Sequence, residues 1–151
     1  MNGAIRSTLR LALGLALALS AGCGTQAPAP TVDVTGTWVG SIDSNAGPPG
    51  FEPVFGTYSL TLQLLQTGSG VTGTFDSVGA FSGTVQGGVS GDRATLAVTV
   101  APCGGPGNST GRVTLTGTVT NPGAATLLMD VAYQGTPCGV ADYGTGTLRR
   151  Q

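Results

Sequence analysis

The chain has 151 residues, of which only 9% are charged; it holds 27 glycines, no histidine and no lysine. That length suits one domain, and without histidine neither a Ser–His–Asp nor a Cys–His arrangement, nor a zinc site of the usual kind, can be assembled. Six arginines stand against seven carboxylates, with no basic patch to neutralise phosphates, so nucleic acid is not an expected partner.

In chain order, the first element is a targeting segment, not part of the fold. Arg6 and Arg10 supply positive charge, and Leu11 to Leu19 form an apolar run of nine residues. That run is too short to cross a hydrocarbon core, which takes about 20 apolar residues. Leu19-Ser20-Ala21-Gly22-Cys23 follows and resembles the lipobox of bacterial lipoproteins, in which small residues precede the cysteine that is lipidated. It departs from that pattern in placing Ser20, not leucine, three positions before the cysteine. The resemblance implies a signal peptide over 1–22, a diacylglyceryl group on the Cys23 thiol, and retention on an envelope membrane. Gly24 stands where aspartate would resemble an inner-membrane retention signal in proteobacteria, so the outer membrane is the expected destination in a diderm host. Residues 23–33, with Pro28 and Pro30 among small and polar residues, read as the lipidated cysteine and a flexible tether. The barrel domain is then 34–151. Beyond the leader, four arginines and seven carboxylates leave a net charge of −3.

From Val34 onward, apolar residues alternate with polar ones, and eight strands are predicted. They cover Val34–Ile42, Thr57–Gln66, Val71–Val78, Phe81–Val89, Ala94–Val100, Arg112–Thr120, Ala125–Tyr133 and Ala141–Leu148. In the second, Tyr58, Leu60, Leu62 and Leu64 face one way and Ser59, Thr61 and Gln63 the other; in the sixth, Val113, Leu115 and Val119 oppose a row of threonines. One aliphatic face and one threonine face mark half-buried antiparallel strands. Thr67-Gly68-Ser69-Gly70 and Ser90-Gly91-Asp92-Arg93 put glycine first in a two-residue loop, as a type II′ hairpin requires. Each such loop pairs the residues flanking it, which keeps Val71 and Ala94 on the inward face. Glycines recur inward, at Gly36, Gly40, Gly73, Gly83, Gly87, Gly117, Gly144 and Gly146, where they let strongly coiled strands bend around a small interior. The fold class expected is therefore all-β, an eight-stranded antiparallel up-and-down barrel, with a β-sandwich as the alternative.

Once Cys23 is lipidated, Cys103 and Cys138 remain, and an even pair in an exported domain reads as a disulfide. In the barrel topology they lie in loops at one end, and their bond would contribute roughly 4 kcal/mol on the chain-entropy model. The same end carries the loops from Asp43 to Gly56 and Ala101 to Gly111, while the other has only tight turns. This asymmetry matches a ligand-carrying barrel, and Trp38, Tyr58, Phe75 and Tyr133 are the expected lining. Asp142, on the inward face, is the best-placed carboxylate, either for a ligand or for an ion pair with Arg149 or Arg150.

Gly36-Thr37-Trp38 on the first strand resembles the Gly-x-Trp signature of lipocalins and avidins. In lipocalins the tryptophan closes the barrel floor and a late basic residue packs over it; Arg150 would be that residue here. The chain's single tryptophan leaves the aromatic biotin box of avidins without a counterpart. Two roles are expected from these features, neither enzymatic and neither needing a cofactor or metal. The first is an envelope lipoprotein with a structural or protein-interaction role. The alternative is a lipocalin-like carrier of a small apolar or amphipathic ligand.

Overall fold

A computed structural model describes residues 27–46, 54–78, 81–100, 110–121 and 125–151. The eight strands are β1 (Gly36–Ala46), β2 (Val54–Thr67), β3 (Gly70–Ser77), β4 (Phe81–Ser90), β5 (Arg93–Val100), β6 (Arg112–Thr120), β7 (Leu128–Thr136) and β8 (Asp142–Arg150). Each pairs antiparallel with its neighbour in sequence, and β8 returns to β1 from Trp38↔Arg150 through Ser44↔Gly144. The sheet is thus a closed barrel with no edge strand, which removes the unpaired N–H and C=O rows of a sandwich.

The period-two pattern supplies the apolar face that this closure buries. Along β5 every second residue is buried, with Ala94, Leu96, Val98 and Val100 inward and Thr95 and Thr99 outward. Register at the short turns follows from the glycines. Thr67 pairs with Gly70 and Ser90 with Arg93. Gly68 and Gly91 take φ +61 and +60, as the first position of a type II′ turn demands.

Several boundaries differ from expectation. β1 runs on to Ala46 and pairs through Ala46↔Val54, so both flanks of Asp43–Gly56 are strand, not loop. Its inward residue there, Ser44, is polar and breaks the apolar alternation. β7 begins at Leu128, not Ala125, after Asn121 has taken a left-handed φ of 57. A 3-10 turn, Pro137–Gly139, joins β7 to β8 and holds Cys138 at φ 54.

The two ends of the barrel are built differently. At the turn end, the chain entering β1 lies across the bottom. The Thr31 N–H donates to Gly91 O at 2.8 Å, the Gly91 N–H donates to Ala29 O at 3.2 Å, and Ser90 Oγ donates to Pro28 O at 3.1 Å. Gln66, inward on β2, accepts the Val34 N–H at 2.9 Å and donates to Val32 O at 3.3 Å and Gly68 O at 2.9 Å. Asp33 accepts the Thr35 N–H at 2.8 Å, and hydrogen bonding to Thr35 holds its carboxyl below the usual range. Residues 28–33, read from composition as tether, are therefore bonded to the barrel. The signal peptide, Cys23 and residues 24–26 lie outside the described residues.

Val34, Trp38, Val71, Leu96, Val119, Met129 and Leu148 are fully buried and fill the turn-end half. Trp38 Nε1 donates to Val34 O at 2.8 Å. Arg150 stands opposite Trp38 and donates to Asp33 O at 3.2 Å. Filling thus ends about midway up the barrel.

Candidate binding cavity

Above this filled half lies a cavity of ≈ 370 Å³. That falls at the small end of ligand pockets, which run from about 300 to 1,000 Å³. Every strand contributes to its wall among the described residues, because each carries its inward residues to the same height. Ile42 and Ser44 come from β1, Tyr58, Leu60 and Leu62 from β2, and Phe75 and Ser77 from β3. Phe81, Val98, Val100, Val113, Leu115, Tyr133 and Asp142 continue the ring, and Pro137, Cys138 and Val140 close it from the β7–β8 connection.

The wall has two characters. From β4 through β6 it is aliphatic and aromatic. Across β7, β8, β1, β2 and β3 it carries Tyr133, Asp142, Ser44, Tyr58 and Ser77. Three of these groups are joined. Ser44 Oγ donates to Asp142 Oδ1 at 2.7 Å, and the Tyr133 hydroxyl donates to the same oxygen at 3.1 Å. Ser44 is 3% exposed and Tyr133 8%, so these bonds offset the cost of removing two hydroxyls from water. Burial pushes the Tyr133 phenol up to about 12, with the neighbouring Asp142 charge adding to the rise. The phenol is a neutral hydrogen-bond donor throughout the ordinary pH range.

Of the four side chains expected to line an interior, Tyr58, Phe75 and Tyr133 do so; Trp38 does not. It is 0% exposed and packed beneath the cavity, because its position on β1 falls one inward step below Gly40 and two below Ile42. Asp142 lies inward as expected, but its partners are Ser44 and Tyr133. Arg149 and Arg150 end β8 at the turn end, a full strand length away. Ser44 and Ser77 had no signal in the sequence beyond strand parity, since a polar inward residue looks like a break in the pattern. Cys138 is disulfide-bonded, and Cys103, its expected partner, lies outside the described residues. No group of three or more metal-ligating side chains occurs among the described residues.

The fold and site define an antiparallel up-and-down β-barrel with an internal cavity at its loop end. No family model matches the chain, and none of the curated proteins does.

Proposed function

We propose that the domain is a carrier, holding a small apolar or amphipathic ligand in the upper half of the barrel, and that a lipid on Cys23 tethers it to an envelope membrane. The single observation supporting the carrier role is the cavity: a filled floor below, a hollow ring of Tyr58, Phe75, Tyr133 and aliphatic side chains above. A purely structural or protein-interaction lipoprotein would meet its partners through the threonine wall and the loops, and needs no hollow interior. Position favours the lipocalin-like reading too, since Trp38 lies in the floor with Arg150 opposite it. The Cys103–Cys138 pairing belongs to the same proposal and would fix one side of the loop end.

The anchor would act at the turn end. Cys23 precedes Pro28 by five residues, and five extended steps reach at most about 18 Å. Pro28 is bonded at the turn end, so that end is the one kept within this reach of the bilayer. Stable retention takes more than one acyl chain, as the lipoprotein resemblance supplies. Cys23→Ser is expected to release the domain or leave an uncleaved precursor on fractionation; unchanged membrane retention with normal processing would overturn the anchor.

The carrier role is tested by titrating the soluble domain with N-phenyl-1-naphthylamine, a neutral apolar dye that brightens out of water. Saturable binding is expected, and Val113→Trp, which directs an indole into the cavity from a half-buried position, is expected to weaken it by about tenfold or more, as loss of a well-filled pocket implies. Equal binding by a folded Val113→Trp domain places the dye elsewhere and removes the carrier reading.

A further inference from the structure

We infer that the ligand is a lipophilic amine, its apolar body against the β4–β6 wall and its ammonium group on Asp142. The inference rests on the carrier reading above and names the ligand's chemistry. Asp142 is half-buried at the start of β8, and its two side-chain hydrogen bonds among the described residues, from Ser44 and Tyr133, reach the same oxygen, Oδ1. Oδ2 accepts no hydrogen bond among the described residues. Among the described residues the carboxylate is therefore held in one orientation with an acceptor to spare.

Charge placement around the cavity points the same way. No arginine lines it. Arg93, Arg149 and Arg150 lie at the turn end, and Arg112, though near the loop end, is exposed on the outer face beside Thr99 and Thr136. With no lysine in the chain, these are all the cations beyond the leader. Asp43 and Asp76 are exposed on the outer wall at the same end as Asp142, so the field at the cavity is negative. A fatty-acid carboxylate would be brought beside Asp142 with no cation to receive it, and like charges in a partly dehydrated site repel strongly. An ammonium group gains a charge-assisted hydrogen bond to Oδ2, about twice the strength of a neutral one. Tyr58 and Phe75 line the same cavity, where an aromatic ring attracts a cation near its face. A neutral hydroxyl head would bond to Oδ2 as well, but without the charge.

The test displaces N-phenyl-1-naphthylamine with octylamine, octanol and octanoate, each below its micelle threshold, from the wild-type domain and from Asp142→Asn. Asparagine keeps an oxygen for Ser44 and Tyr133 and turns the Oδ2 position from a charged acceptor into an uncharged amide donor, which an alcohol oxygen can still accept from and an ammonium group cannot. In the wild type octylamine is expected to displace the dye about tenfold better than octanol, as a charge-assisted bond warrants, and octanoate is expected to be weakest. In Asp142→Asn the amine-to-alcohol ratio is expected to collapse to about twofold or less. Dye binding with octanol or octanoate as the best competitor, or an amine preference that survives Asp142→Asn, overturns the amine assignment and leaves the carrier reading standing. No saturable dye binding removes both.

Discussion

A Gly40→Val chain is expected not to close its barrel. A Cβ at this position would sit 2.1 Å from Thr147 O and 3.0 Å from the Leu148 Cα, both backbone atoms of β8. A rotamer change cannot relieve a clash with main chain, and β1–β8 is the pairing that completes the cylinder. Overpacking a core ordinarily costs about 1–3 kcal/mol; here strand separation must also give way, so the loss is expected to exceed about 3 kcal/mol. Against a total stability of about 5–15 kcal/mol for ordinary domains, that is enough to leave much of the protein unfolded. Urea denaturation followed by the fluorescence of Trp38, the chain's one tryptophan, reads the effect. The companion change is Gly70→Ala, where a Cβ would rest 3.4 Å from Thr67 O, an ordinary contact. That variant is expected to match or slightly exceed the wild type, since alanine loses less chain entropy than glycine. A wild-type midpoint for Gly40→Val would mean that close strand approach is not what the inward glycines provide. The same geometry recurs at Gly87, where a Cβ would lie 2.1 Å from Thr95 O. In both places glycine faces a leucine across the ladder, Gly40 opposite Leu148 and Gly87 opposite Leu96. Small against large is how a narrow barrel fits its side chains.

This pairing explains why the fold was largely legible in the sequence. A side chain's face in a strand depends only on parity, so alternation along Tyr58–Leu64 or Ala94–Val100 assigns inside and outside without reference to the rest of the chain. The Gly68 and Gly91 turns then fix register locally. What was not legible depends on partners distant in sequence. Ser44 falls in the loop expected after Ile42 until its hydroxyl is seen to donate a hydrogen bond to Asp142, 98 residues later. Pro28–Asp33 reads as tether because its composition is that of a tether. Its order comes from the side chain of Gln66 and the backbone of Gly91, which composition cannot report. Parity alone puts Asp142 inward, yet an ion pair with Arg149 or Arg150 conflicts with the strand's own length: β8 puts the carboxylate and the guanidinium groups at opposite ends. By parity Trp38 belongs with Tyr58, Phe75 and Tyr133, because parity gives the face but not the height along the axis. Height decides between floor and lining.

That distinction carries the second large effect. Trp38→Ala is expected to destabilise the domain by about 3–5 kcal/mol, the usual cost of deleting a buried aromatic side chain. Trp38 is 0% exposed, lies between Leu62 and Arg150 in register, and bonds Val34 O, so its removal loosens both the core and the segment crossing the turn end. Trp38→Phe separates the contributions. The ring still fills most of the space, while Val34 O loses its indole donor, and leaving a buried acceptor unpaired costs about 1–3 kcal/mol. Denaturation of both variants, followed by far-ultraviolet circular dichroism because the fluorophore is gone, gives the stability. Dye titration gives the affinity. For a floor residue, Trp38→Phe lowers stability and leaves dye affinity close to wild type. For a residue in contact with ligand, affinity falls while stability holds. Only the first result is compatible with a cavity that begins above Trp38 and is confined to the loop end. A drop in affinity at unchanged stability would extend the binding space down to the turn end, bring Arg150 within its reach, and so give an anionic ligand the cation that the upper cavity lacks.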